Sequence, residues 1–220
     1  MPINPTDSAR GLRIDSPLGE DVVCVSFNGQ ESLGRLFVFQ LDLLSLNRDI
    51  AFADIVGQRM TITLEVEGGG ERYFDGFVSE FRYAGTSGQF ARYQATLKPW
   101  LWFLTRTSDC RIFQNQKVPD IIKSIFRENG MSDFKDLLSD SYRDWIYCVQ
   151  YRETDFNFIS RLMEQEGIYY YFEHENGKHT LVLADGISAH QTFPSYDTLP
   201  YFPPTADAGM RKRDHIQDVA

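Results

Sequence analysis

The chain has 220 residues, with 22 Lys+Arg against 31 Asp+Glu and four His, a net charge of −9. That balance argues against nucleic acid and against anionic membrane surfaces, because both are held by clustered Lys and Arg, and the dense basic cluster Arg211-Lys212-Arg213 is followed at once by Asp214. Hydrophobic residues at 42% and aromatics at 14% supply a core and exclude disorder throughout.

Met1–Asp7 carries neither a basic nor an apolar signal region, so synthesis and folding in the cytoplasm, without a signal peptide, are expected. Downstream, Val23, Val25 and Phe27 alternate and stop at Asn28-Gly29, which reads as a turn. In Leu36–Ser45, Phe37, Phe39, Leu41 and Leu43 share one face of a strand. A short helical turn is expected near Phe52–Val56, closed by Gly57. Met60–Glu67, Arg72–Tyr83 and Phe90–Lys98 read as further strands, joined by Gly68-Gly69-Gly70 and by Ala84–Gly88. Short strands in series predict a barrel or sandwich.

The period then changes. Val118, Ile121, Ile122, Ile125 and Phe126 recur at helical spacing, with Pro119 near the start and Asn129-Gly130 at the end. A second helix is predicted from an N-cap at Thr154, carrying Phe158, Ile159, Leu162 and Met163 inward and ending by Gly167. Ile168–Glu173 and His179–Asp185 read as a hairpin turning at Asn176-Gly177. From Thr192 to Gly209 four prolines and few aliphatic residues read as a linker or irregular crossing. The closing residues Arg211–Ala220 lack a cap or tail signal, so the chain reads as cut rather than finished. No stretch reaches the ~20 apolar residues that span a bilayer, and stable membrane insertion is not expected.

A search for chemistry returns little. Glu164 and Glu166 are two apart on a helix and point about 200° away from each other, so they cannot flank one bond. Glu153 and Asp155 straddle a helix start, where acids favour the positive end of the dipole. Asp185, Ser188 and His190 hold a triad's residue types within six positions but lack the strand-to-helix elbow of a nucleophile. His174 and His179 could meet across the Asn176 turn with Glu173 or Glu175 as a metal site, and exposed hairpin histidines explain them equally well. Asp133, Asp136, Asp140 and Asp144 lack calcium-loop spacing and read as a solvated acidic face. Neither Gly68-Gly69-Gly70 nor Gly85–Gly88 is followed by the Lys-Ser or Lys-Thr of a phosphate loop. Cys24, Cys110 and Cys148 are odd in number and widely spaced, hence expected as reduced, buried thiols. No catalytic residue, cofactor site or metal site is expected.

Aromatic surface stands out instead. Trp100, Trp102 and Phe103, and Tyr169, Tyr170, Tyr171 and Phe172, lie in runs apolar on every side, as core or as subunit contact. On the hairpin, Tyr169 and Tyr171 oppose Tyr170 and Phe172, so one face is expected to meet a neighbouring element or subunit.

Several segments together resemble one family. They are Leu33–Ser45, Asp54–Gly57 leading into Met60–Leu64, Phe74–Val78, Pro99–Leu104, Arg111–Asn115 and Cys148–Asp155, running on through Phe158–His174. In order and spacing they resemble the N-terminal region of VgrG, the spike protein of bacterial type VI secretion. The resemblance implies an α+β, predominantly β fold: an antiparallel tail-hub or tube-type barrel over 1–111, an α+β segment with two amphipathic helices and a hairpin over 112–193, and a linker with the start of a second barrel over 194–220. It further implies a structural hub, homotrimeric when full-length, that docks on the hexameric Hcp tube, contacts baseplate components and effector proteins, and is injected by contraction. A tail-hub or baseplate protein of a contractile phage or phage-like particle is the alternative, and an envelope-degrading hydrolase the second.

Overall fold

The computed structural model describes residues 11–66, 70–192, 198–203 and 215–216. The Met1–Asp7 start, Gly68 and Gly69, the Arg211–Arg213 cluster and most of the proline-rich crossing, with the expected second barrel near Asp214, lie outside the described residues.

The alternating first hundred residues form β1 (Leu12–Asp15), β2 (Val23–Gln30), β3 (Val38–Ser45), β4 (Arg59–Glu65), β5 (Glu71–Ser87) and β6 (Phe90–Lys98). All pair antiparallel in one sheet of order β1-β4-β5-β6-β3-β2. The edge strands β1 and β2 draw near one another without pairing, so the expected barrel is a curled half-barrel. Its hollow is filled by Phe37, Phe39, Leu41 and Leu43 from one face of β3 and its approach, against Met60, Ile62, Tyr93 and Leu97. The helical turn at Phe52–Asp54 closes on Gly57 at φ +82°.

Two expected turns are strand. The sequence reading stops β2 at Asn28-Gly29, but Asn28 pairs opposite Gln40 and Gly29 opposite Phe39. Glycine stands there for space, since a Cβ would meet the Phe39 ring at 3.0 Å. A bulge between Cys24 and Ser26 exchanges the strand's faces, burying Cys24 and exposing Val25. Likewise β5 continues to Ser87, absorbing register shifts at Val78/Glu80 and Tyr83/Thr86, and turns only at Gly88.

Trp100–Thr105 is a tight helical turn, followed by β7 (Ser108–Phe113), α1 (Val118–Glu128), β8 (Phe134–Asp136), β9 (Cys148–Thr154), α2 (Asp155–Glu166), β10 (Tyr169–Glu175) and β11 (Lys178–Ala184). The helices are the predicted ones. Thr154 Oγ1 accepts from Asn157 N at 3.1 Å, and Gly167 ends α2 at φ +73° while Ile168 N reaches back to Met163 O at 2.8 Å. β7 pairs antiparallel with β9; β10, β11 and β8 form a second small sheet in which β8 runs parallel to β11. The predicted acidic face is thus partly a strand, with Asp136 bonded to Lys123 at 2.8 Å. Ile122, Ile125 and Phe126 of α1 pack with Phe158 and Leu162 of α2, Trp100 and Leu181 into a second core. Both helices lie outside the half-barrel's strand order.

Candidate functional site

The two cores meet where the β10/β11 hairpin lies on β5, and Phe172 packs against both. Its ring stands edge-on to Phe37 at 5.0 Å. At this seam β5 turns Asp75 inward, and β11 presents His179; both side chains are fully buried. His179 Nδ1 lies 2.6 Å from Asp75 Oδ1, and His179 Nε2 accepts the Trp100 amide at 2.9 Å. Since Nε2 receives an N–H, the ring hydrogen is on Nδ1 and is donated to Asp75. Burial holds the imidazole below its ordinary pKa even with that carboxylate beside it.

Other bonds cross the seam. Thr61 Oγ1 donates to Asp75 Oδ2 at 2.8 Å and accepts from Gly177 N, at the hairpin tip, at 3.2 Å. Arg59 donates to Gly177 O and stands 3.6 Å from both Asp75 and Asp133. The Asp75 amide donates to His174 Nδ1 at 3.0 Å, leaving His174 Nε2 to face Glu31 at 3.0 Å. The reading of His174 and His179 as exposed hairpin histidines is therefore corrected: β11 is sandwiched between β10 and β8 and buried along nearly its whole length, so His179 goes inside, and His174 of β10, its side chain 7% exposed, is turned onto the half-barrel at the Asp75 amide.

Chemically this is a joint. A general base needs a free imidazole nitrogen within reach of a substrate proton, and both nitrogens of His179 are already engaged. Among the described residues no three His, Cys, Asp or Glu converge as metal ligands.

A second polar knot fixes α2. Asp155, at its first turn, is buried; its Oδ1 accepts from Gln150 Nε2 at 2.8 Å and from Arg111, and its Oδ2 from Thr107 Oγ1 at 2.7 Å. Burial pushes this carboxyl up; the Gln150 and Thr107 hydrogen bonds and the Arg111 charge outweigh it and leave the group below the usual carboxylate range. Arg111 also bonds Gln150 at 2.9 Å and Glu128 at 2.5 Å, tying β7 to β9 and α1.

The triad look-alike comes apart. Asp185 accepts from Ser139 N, Asp140 N and Tyr142 OH, each at 2.8 Å, whereas His190 lies 2.8 Å from Tyr169 OH. Glu166 accepts from Trp145 Nε1 at 2.9 Å, and Glu153 pairs with Arg161. An open groove of about 800 Å³ runs beside the hairpin, but its two histidines are the His174 and His190 already bonded to Glu31 and Tyr169.

The aromatic candidates divide. Trp100 and Tyr170 are core. Phe103 packs edge-on to Phe77 at 5.3 Å, and Trp102 is half-buried between Lys98 and Arg106, 5.1 and 4.7 Å from its ring. Tyr169 and Tyr171 are covered by their own chain: their hydroxyls reach Gly186 O at 3.1 Å and Ala189 O at 2.8 Å, and both rings lie against His190. The neighbour expected over the hairpin's outer face is thus residues 186–190. Cys110, expected buried, is exposed. What sequence reasoning missed is the outer face of the β7/β9 ribbon, where Ile112 and Tyr151 are exposed, with Ile146 and Tyr147 exposed just before β9.

The chain matches the phage tail baseplate hub (GPD) family over residues 30–220. It is 55% identical over 210 residues to the type VI secretion system spike protein VgrG1b of Pseudomonas aeruginosa, 95% of this chain and 28% of that protein. To the actin cross-linking toxin VgrG1 of Vibrio cholerae it is 31% identical over 202 residues, 88% of this chain and 18% of the toxin. Among solved structures, the E. coli c3393 protein aligns at a TM-score of 0.73 and 27% identity, covering 88% of this chain and 52% of that one. That protein is described as a type VI secretion component structurally similar to the T4 bacteriophage tail proteins gp27 and gp5.

Proposed function

The chain belongs to the phage tail baseplate hub (GPD) family, in its VgrG group, and from that premise we propose that it serves as the N-terminal hub of a type VI secretion spike. In this reading three copies associate, and the half-barrel, the first of the units expected over 1–111, 112–193 and 194–220, docks on the hexameric Hcp tube. Baseplate components and effector proteins meet other surfaces of the whole spike. The assembly forms in the cytoplasm and leaves by contraction; among the described residues no helix is long and apolar enough to cross a membrane.

The observation that carries the proposal is the seam. Asp75, His179 and the Trp100 amide satisfy one another in the interior, so the polar groups that could have made a catalytic centre instead weld the half-barrel to the hairpin unit. A part that transmits force needs that weld and needs no reactive group, cofactor or metal. The toxin's match to this chain covers only 18% of its length, which supports placing any enzymatic activity of such relatives elsewhere in them. Identity of 55% to a secretion spike favours that role over the phage tail hub that shares the fold.

The test is co-sedimentation of the chain with assembled Hcp tubes, alongside its mass by light scattering. Stoichiometric binding at tube ends and a trimeric mass are expected. A chain that ignores Hcp tubes, or hydrolyses cell-wall substrate with turnover that survives repurification, contradicts the reading.

A further inference from the structure

We propose that the groove beside the hairpin receives an extended peptide segment of a partner protein, added as a strand to the open edge of β10. The inference goes beyond the hub reading and does not depend on it.

β10 is the last strand of its sheet, in the order β10-β11-β8. On β11 the Leu181 amide donates to Asp133 O and the Leu183 carbonyl accepts from Leu137 N, so these residues turn their backbone groups toward β8. Phe172 and Tyr170 stand opposite them in the antiparallel register, and residues so paired point N–H and C=O away from each other. The backbone groups of Tyr170, Phe172 and His174 therefore face out of the sheet. Tyr170 O is taken by the Gly34 amide at 2.8 Å; among the described residues the N–H and C=O of Phe172 and His174 have no partner.

That edge opens on the groove of about 800 Å³. The consecutive residues Tyr171 to Glu175 all line it, and because successive side chains point to opposite faces of a strand, a groove meets every one of them only along the edge. Its other wall is a second open edge. Arg72, Tyr73 and Phe74 line it from β5, which has β4 on one side but is joined by β6 on the other only from Phe77 onward. The Asp75 amide points to that free side, toward His174, and the backbone groups of Tyr73, two positions back, point the same way. Unpaired N–H and C=O groups repeating every 6–7 Å or so along a strand are matched by another extended backbone, as when a peptide adds to a sheet edge.

The side chains narrow the guest. Phe74, Phe172, Leu137 and Leu138 give the groove apolar walls. Of its three carboxylates, Glu31 faces His174 and Glu173 pairs with Lys135, while Arg72 lies over the Phe74 ring at 4.8 Å. Glu175 has no ion pair among the described residues, since Lys178 across the hairpin stands 3.5 Å from Asp133 instead. The fitting guest alternates apolar residues and carries a Lys or Arg beside Glu175. This chain's own continuation does not fit that description: from Gln191 to Met210 it has no Lys or Arg, and four of its residues are proline, which has no amide hydrogen to give an edge.

Amide exchange of the free chain is the first measurement. Phe172 and His174 should exchange at least about 10-fold faster than Tyr171 and Glu173, which are bonded to β11. Equal protection would mean that the chain already covers this edge, and protection that rises with chain concentration would mean that a second copy does; either overturns the proposal. The probe is a pool of acetylated seven-residue peptides alternating Val, Ile or Thr with Ser and carrying one Lys at varied positions. It should slow exchange at Phe172 and His174 at least about 10-fold. The same pool N-methylated at alternate residues keeps its side chains but loses backbone donors, and should bind about 10-fold or more weakly. Glu175→Gln should weaken the Lys peptides about threefold with an unchanged urea midpoint. No protection at millimolar peptide, protection of β7 or β9 in place of β10, or equal binding by the N-methylated pool overturns the proposal and leaves the hub reading standing.

Discussion

His179→Phe probes the seam with little change of shape. The phenyl ring keeps the imidazole's place among Phe37, Phe77 and Phe172, whose centroids lie 5.5, 5.8 and 5.9 Å away. Two bonds go: the one to Asp75 Oδ1 at 2.6 Å and the one from the Trp100 amide at 2.9 Å. The amide is left buried without a partner, a cost of about 1–3 kcal/mol. Asp75, fully buried, loses its closest hydrogen-bond donor, and breaking a buried ionisable pair costs about 3–5 kcal/mol. Thr61 at 2.8 Å and Arg59 at 3.6 Å remain on the carboxylate, so the two costs overlap and the expected loss is about 3–5 kcal/mol in total. In a chain of this size that lowers Tm by roughly 6–20 °C. Urea unfolding followed by far-UV circular dichroism and tryptophan fluorescence measures it. The pH dependence supplies a second readout. Because burial depresses the folded-state pKa of His179, the unfolded chain binds the proton more readily, and stability falls as pH drops through the unfolded value near ~6.5. His179→Phe removes that contribution, so its stability profile between about pH 6.5 and 5 is flatter. A loss under ~1 kcal/mol, or an unaltered slope, would refute the joint as described.

Thr154→Ala removes the cap on α2 and is expected to cost about 1 kcal/mol, read as a shift in urea midpoint with unchanged slope. Gly76→Ala places a Cβ 3.0 Å from Leu97 Cβ and 3.3 Å from the Lys98 carbonyl, and overpacking of about 1–3 kcal/mol follows; a neutral result would mean that β5 and β6 can part. Asp155 and Asp185 are both held below the usual carboxylate range, so their stabilisation is complete above the unfolded value of about 3.9 and is lost as pH falls further. Asp155→Asn should therefore flatten the acid limb of the stability curve below about pH 4, leaving the limb assigned to His179 in place.

What the sequence showed and hid follows from what periodicity can report. β3 and both helices were legible because each buries one clean face, so Phe37 to Leu43 and Val118 to Phe126 repeat at strand and helix spacing. Asn28-Gly29 misled because the pair is a turn signal only where the chain is free to turn; here Phe39 needs a neighbour without a side chain. β1, β7 and β9 escaped because their partners are distant: Leu12 pairs with Leu64, and Phe113 with Cys148. The seam was least visible. Asp75 and His179 are 104 positions apart, and the alternation of either strand names a face but not what lies on it. The uninterrupted run Thr180–Ala184 was the available signal. A strand apolar on both faces is covered on both, which already places its leading histidine inside.

The composition of the seam bears on what the joint is for. A buried ion-pair-like contact is seldom the most stable choice, since apolar side chains of similar volume often do as well or better. Its distinguishing property is direction: a hydrogen bond of 2.6 Å with one tautomer tolerates little sliding, whereas apolar surfaces can shift past one another at small cost. If the bond serves alignment, Asp75→Leu combined with His179→Phe should recover most of the stability lost by His179→Phe alone, to within about 1–2 kcal/mol of the natural chain. Alignment should not return with it. The hairpin tip is held by Thr61 and Arg59, which also address Asp75, so the Gly177 amide should exchange with solvent faster in the double variant at matched global stability. Hydrogen exchange at Gly177 read against the global unfolding free energy decides the matter. Recovered stability with full protection of Gly177 would mean that packing alone sets the angle between the half-barrel and the hairpin. Faster exchange would assign that role to the buried Asp75–His179 bond.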